Sequence, residues 1–531
     1  MTKPIKTKLS NLTVKTSRTK NIVFLIFIFI IVNFLTRGPD LYKAIIKPED
    51  QWYSGQVSWF DPWDVSTYQN VINQGQDGHL FYQDYFDSEN EFEIPLYSLY
   101  IITGRASSSL SLRPIVIFHL LGIVTSLFLI LSSWWLASLW FKKQWEKMTC
   151  LFILVLGGGL GWYFLPETAL PDIATPNFTF LRALYFPHEA VSLGLLMVTL
   201  GYCFVAMTKQ KKISIVKAGL ANLLMLFFHP YNLIPIAAIL TTFCLWEYFR
   251  NKSIKFLTNQ IPLVISLGLG VGFYLLTIGK KLLLSPTFTG QLSQSFSSPK
   301  FSYLILGSGL LIPLAILPAL YRKIDQKTRF MLTWLFIQLA VIYLPFNFQR
   351  LLIRGLWVPI SLLAIRGIKT IFPKTTKTFF VVGLTIVSLS GLSSLFVFTQ
   401  RVSKDYDNRW VYLNKSEGEI IQYLKEQDQT DKAIMAAPEM ANFLTAHTGK
   451  KTWLSHKQHL HYQERYSKIA QFYQGKMDQD EVLDFFQKTK TQWIYWGPDE
   501  KTIAQSDQMP YQDLFVPVIE TKIANLYHYQ N

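Results

Sequence analysis

Three short strings carry the residue types that could do chemistry, and the first runs from Trp59 to Asp64. Asp61 and Asp64 stand three residues apart among aromatic side chains. Carboxylate oxygens bind hard divalent cations such as Mg²⁺ and Mn²⁺, and a carboxylate can also act as a general base. The same spacing suits an Asp-Pro turn in which Asp64 caps a helix that begins near Ser66. The string alone leaves both interpretations open.

The second string, Phe186-Pro187-His188-Glu189, stands at the start of an apolar segment. A carboxylate at a helix start faces the positive end of the helix dipole, so Glu189 could serve only as a cap. An ionisable residue near the hydrocarbon boundary is costly, however, unless it has a partner or a task. His188 and Glu189 could join Asp61 around one ion if the segment that carries Asp61 folds back over the helices.

The third string is Phe348-Gln349-Arg350, followed by Arg354. Two arginines four residues apart share one face of an α-helix, and arginine suits bidentate contacts with phosphate. The alternative is that both long side chains snorkel to the membrane interface. His229, which precedes Pro230, marks a break between two helices or, alternatively, a further site residue.

Four histidines near the C-terminus form no recognisable site. Their spacing matches no zinc motif, so we expect them at the surface. They are His447, His456, His459 and His461.

Membrane-spanning helices must position these strings. The 531-residue sequence is 50% hydrophobic and only 16% charged, whereas soluble proteins carry about a quarter charged residues. Because roughly 17–25 apolar residues cross the hydrocarbon, we predict about eleven spans. They lie near 21–36, 114–141, 148–165, 189–207, 214–228, 232–249, 256–278, 301–321, 329–345, 353–371 and 378–398. Whether 214–249 forms two spans or one determines on which side of the membrane every later loop lies.

The charge distribution gives this helical array a direction. The net charge is +16, but Lys and Arg lie in short segments between apolar runs, which excludes a nucleic-acid-binding surface. With a cytoplasmic N-terminus, every short loop assigned to the inside is basic, as the positive-inside rule requires. We therefore predict a multi-pass cell-membrane protein whose C-terminal domain is extracytoplasmic.

Three regions follow from this topology. A basic cytoplasmic tail covers 1–20, a transmembrane domain covers 21–398, and an extracytoplasmic domain covers 399–531. The transmembrane domain includes a long acidic outer loop, 37–113, with an amphipathic piece at 95–103 that could lie at the interface. In the tail, helices are predicted over 417–427 and 439–447 and strands over 433–437 and 491–496. This alternation indicates a small α/β domain.

The string Phe60-Asp61-Pro62-Trp63 resembles the first-loop motif of the oligosaccharyltransferase catalytic subunit. The layout resembles the GT-C superfamily of membrane glycosyltransferases, with its long acidic first outer loop, many spans and outer C-terminal domain. His188-Glu189 stands where that superfamily places its second acidic motif. Bacterial members without an assigned acceptor are similar through Phe186-Pro187-His188, His229-Pro230-Tyr231 and Phe348-Gln349-Arg350. The tail lacks a WWDYG-type motif, so a hydroxyl acceptor is expected rather than asparagine.

The resemblance implies a hexosyl- or pentosyltransferase that moves a sugar from a polyprenyl-phosphate donor in the bilayer to an extracytoplasmic glycan, lipid or protein. Asp61 would activate the acceptor hydroxyl as a base or metal ligand, with Asp64 in support. Glu189 and His188 would complete the site. Arg350 and Arg354 would stabilise the departing phosphate. A divalent cation, Mg²⁺ or Mn²⁺ on Asp61 and Glu189, is conditional, since superfamily enzymes with monophosphate donors often need no metal.

A transporter or flippase for a lipid-linked or anionic solute is the alternative class. It would explain the two arginines and the many spans equally well. It does not need an acidic first loop or a large outer domain, and the two similar halves of many transporters are not seen in this sequence. A structural or assembly protein, the third class, would leave the three strings far apart in space.

Overall fold

In a computed structural model, the chain is described over residues 3–57, 60–165, 169–176, 178–252, 260–283, 295–321, 324–372, 382–383, 385–386, 388–403, 406–427 and 432–529. Trp59 and parts of the predicted spans 256–278 and 378–398 lie outside these residues. The chain divides into two compact units, each built from separate segments. The first comprises Met1–Pro39, Gly122–Gly272 and Phe296–Gln400, and the second comprises Asp40–Leu121, Phe273–Ser295 and Arg401–Asn531.

Helices dominate the described residues, as expected where the hydrocarbon offers backbone groups no other partner. The first half of the chain contains α1 (Lys3–Ile45), α2 (Pro62–Gln76), α3 (Ser98–Ala106), α4 (Pro114–Trp140), α5 (Gln144–Leu156), α6 (Gly161–Phe164), α7 (Pro171–Ala174), α8 (Phe180–Tyr185), α9 (Pro187–Lys209), α10 (Lys212–Leu226) and α11 (Leu233–Asn251). The second half adds α12 (Ile261–Tyr274), α13 (Lys280–Leu283), α14 (Phe301–Ser308), α15 (Leu311–Ile316), α16 (Gln326–Val341), α17 (Trp357–Ile371), α18 (Leu392–Val402), α19 (Lys415–Glu426), α20 (Pro438–Thr448), α21 (Tyr462–Tyr473), α22 (Gln479–Thr489) and α23 (Pro498–Ala504). Short 3₁₀ turns cover Ser108–Leu110, Pro230–Asn232, Leu317–Leu320, Gln349–Ile353 and Gln512–Leu514, and Leu275–Gly279 is a π-helix.

Within the described residues, 7 helices are long and apolar enough to cross a membrane. They are Thr19–Ile45, Pro114–Trp140, Gln144–Phe164, Pro187–Lys209, Pro230–Asn251, Ile261–Gly279 and Gln349–Ile371. Phe301–Ser308 and Leu311–Leu320, bent by 93°, give an eighth if they form one span. Two predicted spans, 214–228 and 329–345, are helices of only 15 and 16 residues. The polytopic helical class is confirmed, and the count of about eleven spans stays a prediction.

The sequence His229-Pro230 divides the region 214–249 into two helices. Proline disfavours helical backbone at the residue before it, and His229 has φ −145° and ψ 82°. The helix α10 therefore ends at Leu226, and α11 begins at Leu233 after one 3₁₀ turn. The predicted division into two helices is present, whereas the direction in which each helix crosses the membrane stays a prediction.

The second unit contains the predicted α/β structure. Its strands are β1 (Gln51–Tyr53), β2 (Tyr82–Gln83), β3 (Glu93–Ile94), β4 (Tyr412–Asn414), β5 (Ala433–Met435), β6 (Lys451–Thr452), β7 (Thr491–Trp496), β8 (Phe515–Ile519) and β9 (Asn525–Tyr529). A five-stranded sheet has the order β6-β5-β7-β9-β8. Strand β5 runs parallel to β6 and β7, and β9 runs antiparallel to β7 and β8. The predicted C-terminal helices and strands are confirmed.

The first long loop belongs to the same unit as the C-terminal sheet. Strand β1 pairs antiparallel with β4. At the open edge of β6, Thr452 donates its N–H to the carbonyl of Tyr85 at 3.0 Å and accepts the N–H of Ser88 at 2.8 Å. These contacts cover a strand edge that would otherwise expose unpaired backbone groups. The predicted boundaries 1–20, 21–398 and 399–531 describe sides of the membrane, so they stay predictions.

Candidate active site

A largely buried polar cluster of the first unit is centred on Glu189, in the first turn of α9. Pro187 occupies the first position of this helix, where its missing N–H costs nothing. Asn232 ends the 3₁₀ turn that leads into α11, and Arg354 follows the 3₁₀ turn that precedes α17. The amino ends of three helices therefore meet around one carboxylate, which their dipoles favour.

Arg354 holds both oxygens of Glu189. Its Nε donates to Oε2 at 2.9 Å and its Nη2 donates to Oε1 at 2.9 Å. Arg354 is 1% exposed and Glu189 is 9% exposed. The Nη1 atom of Arg354 donates to Asn232 at 3.4 Å, and the Asn232 amide donates to Ser192 at 3.1 Å. Two opposite charges buried this deeply require each other, because either one alone would be uncompensated.

The backbone around Arg354 has little freedom. Gly355 has φ +89°, and a Cβ at this position would lie 2.4 Å from Cδ2 of Leu196. The side-chain amide of Gln338 donates to the carbonyls of Leu352 and Arg354, at 2.9 and 2.6 Å. Glycine is the residue that adopts positive φ without strain. The turn thus fixes the direction from which the guanidinium reaches Glu189.

Two imidazoles complete the cluster. The Nε2 atom of His229 lies 3.3 Å from Oε2 of Glu189, and Nε2 of His188 lies 3.6 Å from Oε1. Ligand atoms of these three residues lie within 4.8 Å of one another. The donor set is compatible with a divalent cation, and its two imidazoles suit a transition metal better than Mg²⁺. A cation bound here would share Glu189 with Arg354.

Arg350 is placed differently from Arg354. Residues Gln349–Ile353 form a 3₁₀ turn, so the prediction that the two arginines share one α-helical face is wrong. The Arg350 guanidinium lies 5.0 Å from the centre of the Phe296 ring. The backbone N–H of Arg350 donates to the Phe296 carbonyl at 2.9 Å. Snorkelling does not describe Arg354, which is buried in its ion pair. The binding of phosphate by either side chain stays a prediction.

The carboxylates of the first string lie in the second unit. Asp61 is the N-cap of α2, which begins at Pro62 rather than near Ser66, and Asp64 lies in the first helical turn. The Nζ atom of Lys457 lies 3.2 Å from each oxygen of Asp61 and 5.9 Å from the centre of the Trp63 ring. The Asp61 side chain is 22% exposed and that of Lys457 is 45% exposed. This pair is accessible to solvent.

Aromatic rings surround the Asp61–Lys457 pair. The Trp63 ring lies 4.9 Å from that of Trp410 and 5.9 Å from that of His456. Burial lowers the pKa of His456 to about 4, against the opposing effect of Asp61. The Nδ1 atom of His456 accepts the N–H of Gln458 at 3.2 Å. A neutral imidazole with its proton on Nε2 explains both observations.

The expectation that all four tail histidines lie at the surface is wrong. The His461 side chain is 60% exposed. His459 pairs with Asp87 at 3.1 Å and is 14% exposed. Burial lowers the pKa of His447 to about 3. Residues of the first loop pack against His447, His456 and His459. The spacing of the histidines along the sequence does not predict this packing.

The predicted site residues therefore form two groups. His188, Glu189, His229 and Arg354 are brought together in the first unit, where Arg350 also lies, whereas Asp61 and Asp64 belong to the second. The expected meeting of Asp61 with Glu189 around one ion stays a prediction. Sequence reasoning missed Lys457, for which no local signal exists, and Asn232, which the string His229-Pro230-Tyr231-Asn232 contains.

No protein-family model matches the sequence, and no curated protein sequence matches it. Solved structures do match. The archaeal oligosaccharyltransferase AglB from Archaeoglobus fulgidus, in complex with an inhibitory peptide and a dolichol-phosphate, aligns with a TM-score of 0.53 and 11% identity over 89% of this chain and 69% of that one. ArnT from Cupriavidus metallidurans, bound to undecaprenyl phosphate, aligns with a TM-score of 0.52 and 9% identity over 96% and 98%. The mycobacterial arabinofuranosyltransferase AftD aligns with a TM-score of 0.53 and 11% identity over 94% and 40%.

These similarities extend over nearly the whole chain at very low identity, so they establish architecture. The protein has the GT-C fold of membrane glycosyltransferases, as the resemblance of its sequence predicts. It is a multi-pass membrane protein of that architecture with an α/β sheet region near its C-terminus.

Proposed function

We propose that the protein is a glycosyltransferase that moves a sugar from a polyprenyl-phosphate-linked donor to an extracytoplasmic acceptor hydroxyl. The observation that carries this proposal is the buried Glu189–Arg354 pair, flanked by His188 and His229, in a chain with the GT-C fold. Ionised groups inside a membrane bundle are costly and mark functional sites. ArnT and AglB bind undecaprenyl phosphate and dolichol-phosphate in the structures compared, which supports a donor of the same class.

The proposed reaction replaces one bond of the anomeric carbon by another and transfers one proton. The acceptor oxygen attacks the anomeric carbon of the sugar while its proton passes to Asp61, acting as general base. The bond between the anomeric carbon and the phosphate oxygen breaks, and polyprenyl phosphate leaves with the electron pair. Asp64, in the first turn of the same helix, supports Asp61. Asp61 suits this role because its carboxylate is accessible and its partner Lys457 is exposed.

Charge develops on the departing phosphate, and cationic groups stabilise it. Arg350 is proposed to contact this phosphate. Arg354 is proposed to act by positioning Glu189, since both of its forked donors already lie on that carboxylate. The amino ends of α9, α11 and α17 add a favourable field for an anion. A divalent cation, where bound by His188, Glu189 and His229, would supply further positive charge.

The test is a transfer assay with purified protein in nanodiscs, using polyprenyl-phosphate sugars as donors and cell-envelope glycans or lipids as acceptors. Asp61→Asn should reduce transfer by roughly 100-fold or more, the scale of a lost general base. Asp77→Asn, at the other end of α2, is the matched control and should retain activity. Full transfer by Asp61→Asn would remove this residue from the mechanism. Movement of a labelled donor across proteoliposomes without transfer would favour the transporter class instead.

A further inference from the structure

A cavity of about 500 Å³ lies within the second unit, at the place where the first long loop meets the C-terminal sheet. Among the described residues, its walls include three lysines and one glutamate. The lining residues are Gln83, Glu91, Lys432, Lys451 and Lys490. Gln83 and Glu91 come from the first loop, and the three lysines come from the C-terminal region.

The topology of the sheet explains why the lysines converge. Strands β6, β5 and β7 are neighbours and run parallel, so their amino ends lie at the same edge. Lys432 immediately precedes β5, Lys451 is the first residue of β6, and Lys490 immediately precedes β7. Neighbouring strands are about 4.8 Å apart. Each of these three adjacent strands therefore delivers one cation to the same edge of the sheet.

Two of the lysines are held in place. Lys451 is 7% exposed, and its Nζ lies 5.5 Å from the centre of the Tyr85 ring. Lys490 has φ +57° at the end of α22, and its carbonyl accepts the N–H of Ala433 at 2.8 Å. These contacts position the Lys451 side chain and the Lys490 backbone independently of any ligand.

Among the described residues that line this cavity, one carboxylate stands against three lysines. Lys490 pairs with Glu91 at 2.7 Å, and this hydrogen bond lowers the pKa of the Glu91 carboxyl. Both partners are at least half exposed, so the pair is weak. Like charges gathered on three neighbouring strands repel one another, and a bound oxyanion would relieve that repulsion.

We propose that Lys432, Lys451 and Lys490 form a binding site for a phosphate group, carried by a soluble molecule or by a lipid headgroup. The volume of the cavity is in the range of about 300–1,000 Å³ typical of small-ligand sites. Gln83 offers an uncharged amide beside the cations. The proposal concerns binding alone and does not depend on sugar transfer.

Binding is measured by calorimetric titration of inorganic pyrophosphate into the full-length protein in neutral nanodiscs at low salt. Lys432→Gln/Lys490→Gln changes only exposed residues and should weaken binding at least tenfold. Lys468→Gln/Lys476→Gln removes the same charge elsewhere in the unit and should bind like the unchanged protein. Glu91→Gln removes the competing carboxylate and should tighten binding. A merely structural role for the lysines does not predict this tightening.

Equal affinity of the unchanged protein and Lys432→Gln/Lys490→Gln, or weaker binding by Glu91→Gln, would overturn the proposal. Nanodiscs that contain phosphatidic acid distinguish the two sources. If a lipid headgroup fills the cavity, these nanodiscs should abolish the difference in pyrophosphate affinity between the unchanged protein and Lys432→Gln/Lys490→Gln. If the phosphate belongs to a soluble molecule, that difference should persist.

Discussion

Removing one partner of the buried Glu189–Arg354 pair should destabilise the protein strongly. In Glu189→Gln the guanidinium of Arg354, only 1% exposed, loses a carboxylate that accepts two 2.9 Å hydrogen bonds. Leaving such a charge unpaired costs about 3–5 kcal/mol. Arg354→Met removes the two guanidinium donors from the Glu189 carboxylate and should cost a similar amount. Because both costs arise from the remaining charge, the double variant Glu189→Gln/Arg354→Met should recover at least about half of either loss.

The chain offers a matched control in a second buried pair. Glu247 on α11 and Arg329 on α16 have side chains 1% and 8% exposed, joined at 2.6 Å. Glu247→Gln, Arg329→Met and their combination should repeat the same pattern of loss and recovery. The assay is thermal unfolding in detergent, followed by tryptophan fluorescence and chemical denaturation at one temperature. The free energies of unfolding of the four states of each pair give the coupling energy.

Sugar-transfer activity should distinguish the Glu189–Arg354 pair from the Glu247–Arg329 pair. After stability is recovered, Glu247→Gln/Arg329→Met should transfer sugar normally, whereas Glu189→Gln/Arg354→Met should remain inactive. Single variants as stable as the unchanged protein would refute the reasoning about buried charge. Full transfer by Glu189→Gln/Arg354→Met would instead show that the Glu189 cluster only supports the fold.

Three further outcomes are expected. Burial lowers the pKa of His456 from 6.5 to about 4, so the stability that its neutral form contributes is present above pH 6.5 and lost as pH falls toward 4. In denaturant titrations, the unchanged protein should lose about 2 kcal/mol more than His456→Gln between pH 7 and pH 5. Gly355→Ala, forced against Leu196, should lower the unfolding free energy by about 1–3 kcal/mol, whereas Gly268→Ala, which meets open space, should not. Mn²⁺ or Zn²⁺ should raise the thermal midpoint of the unchanged protein, and a rise that persists after both imidazoles of the Glu189 cluster are replaced by alanine would exclude this ligand set.

Hydrophobic runs and charged loops predict the helical membrane class because a bilayer requires apolar spans of fixed length, and this requirement is visible in the sequence itself. Pro230 likewise signals its helix break locally. Local sequence does not predict how Arg350 and Arg354 are placed. Their spacing of four residues fits an α-helical turn, whereas the structure contains a 3₁₀ turn over Gln349–Ile353. Local sequence also does not predict the position of Lys457, which meets Asp61 across almost 400 positions of sequence. Contacts of that range depend on how the first loop packs on the C-terminal sheet.

The environments of Asp61 and Glu189 favour different roles for them in the proposed reaction. Both oxygens of Glu189 already accept hydrogen bonds from a guanidinium that is itself buried, so protonation of this carboxylate would remove the charge that balances Arg354. Asp61 is accessible, and its lysine partner can move into solvent without leaving a buried charge. These environments favour Asp61 as the proposed general base and Glu189 as a residue that orients the imidazoles of His188 and His229. On this basis Glu189→Asp, which shortens the reach to Arg354, should disturb stability and donor binding, while Asp61→Glu should affect the rate of transfer.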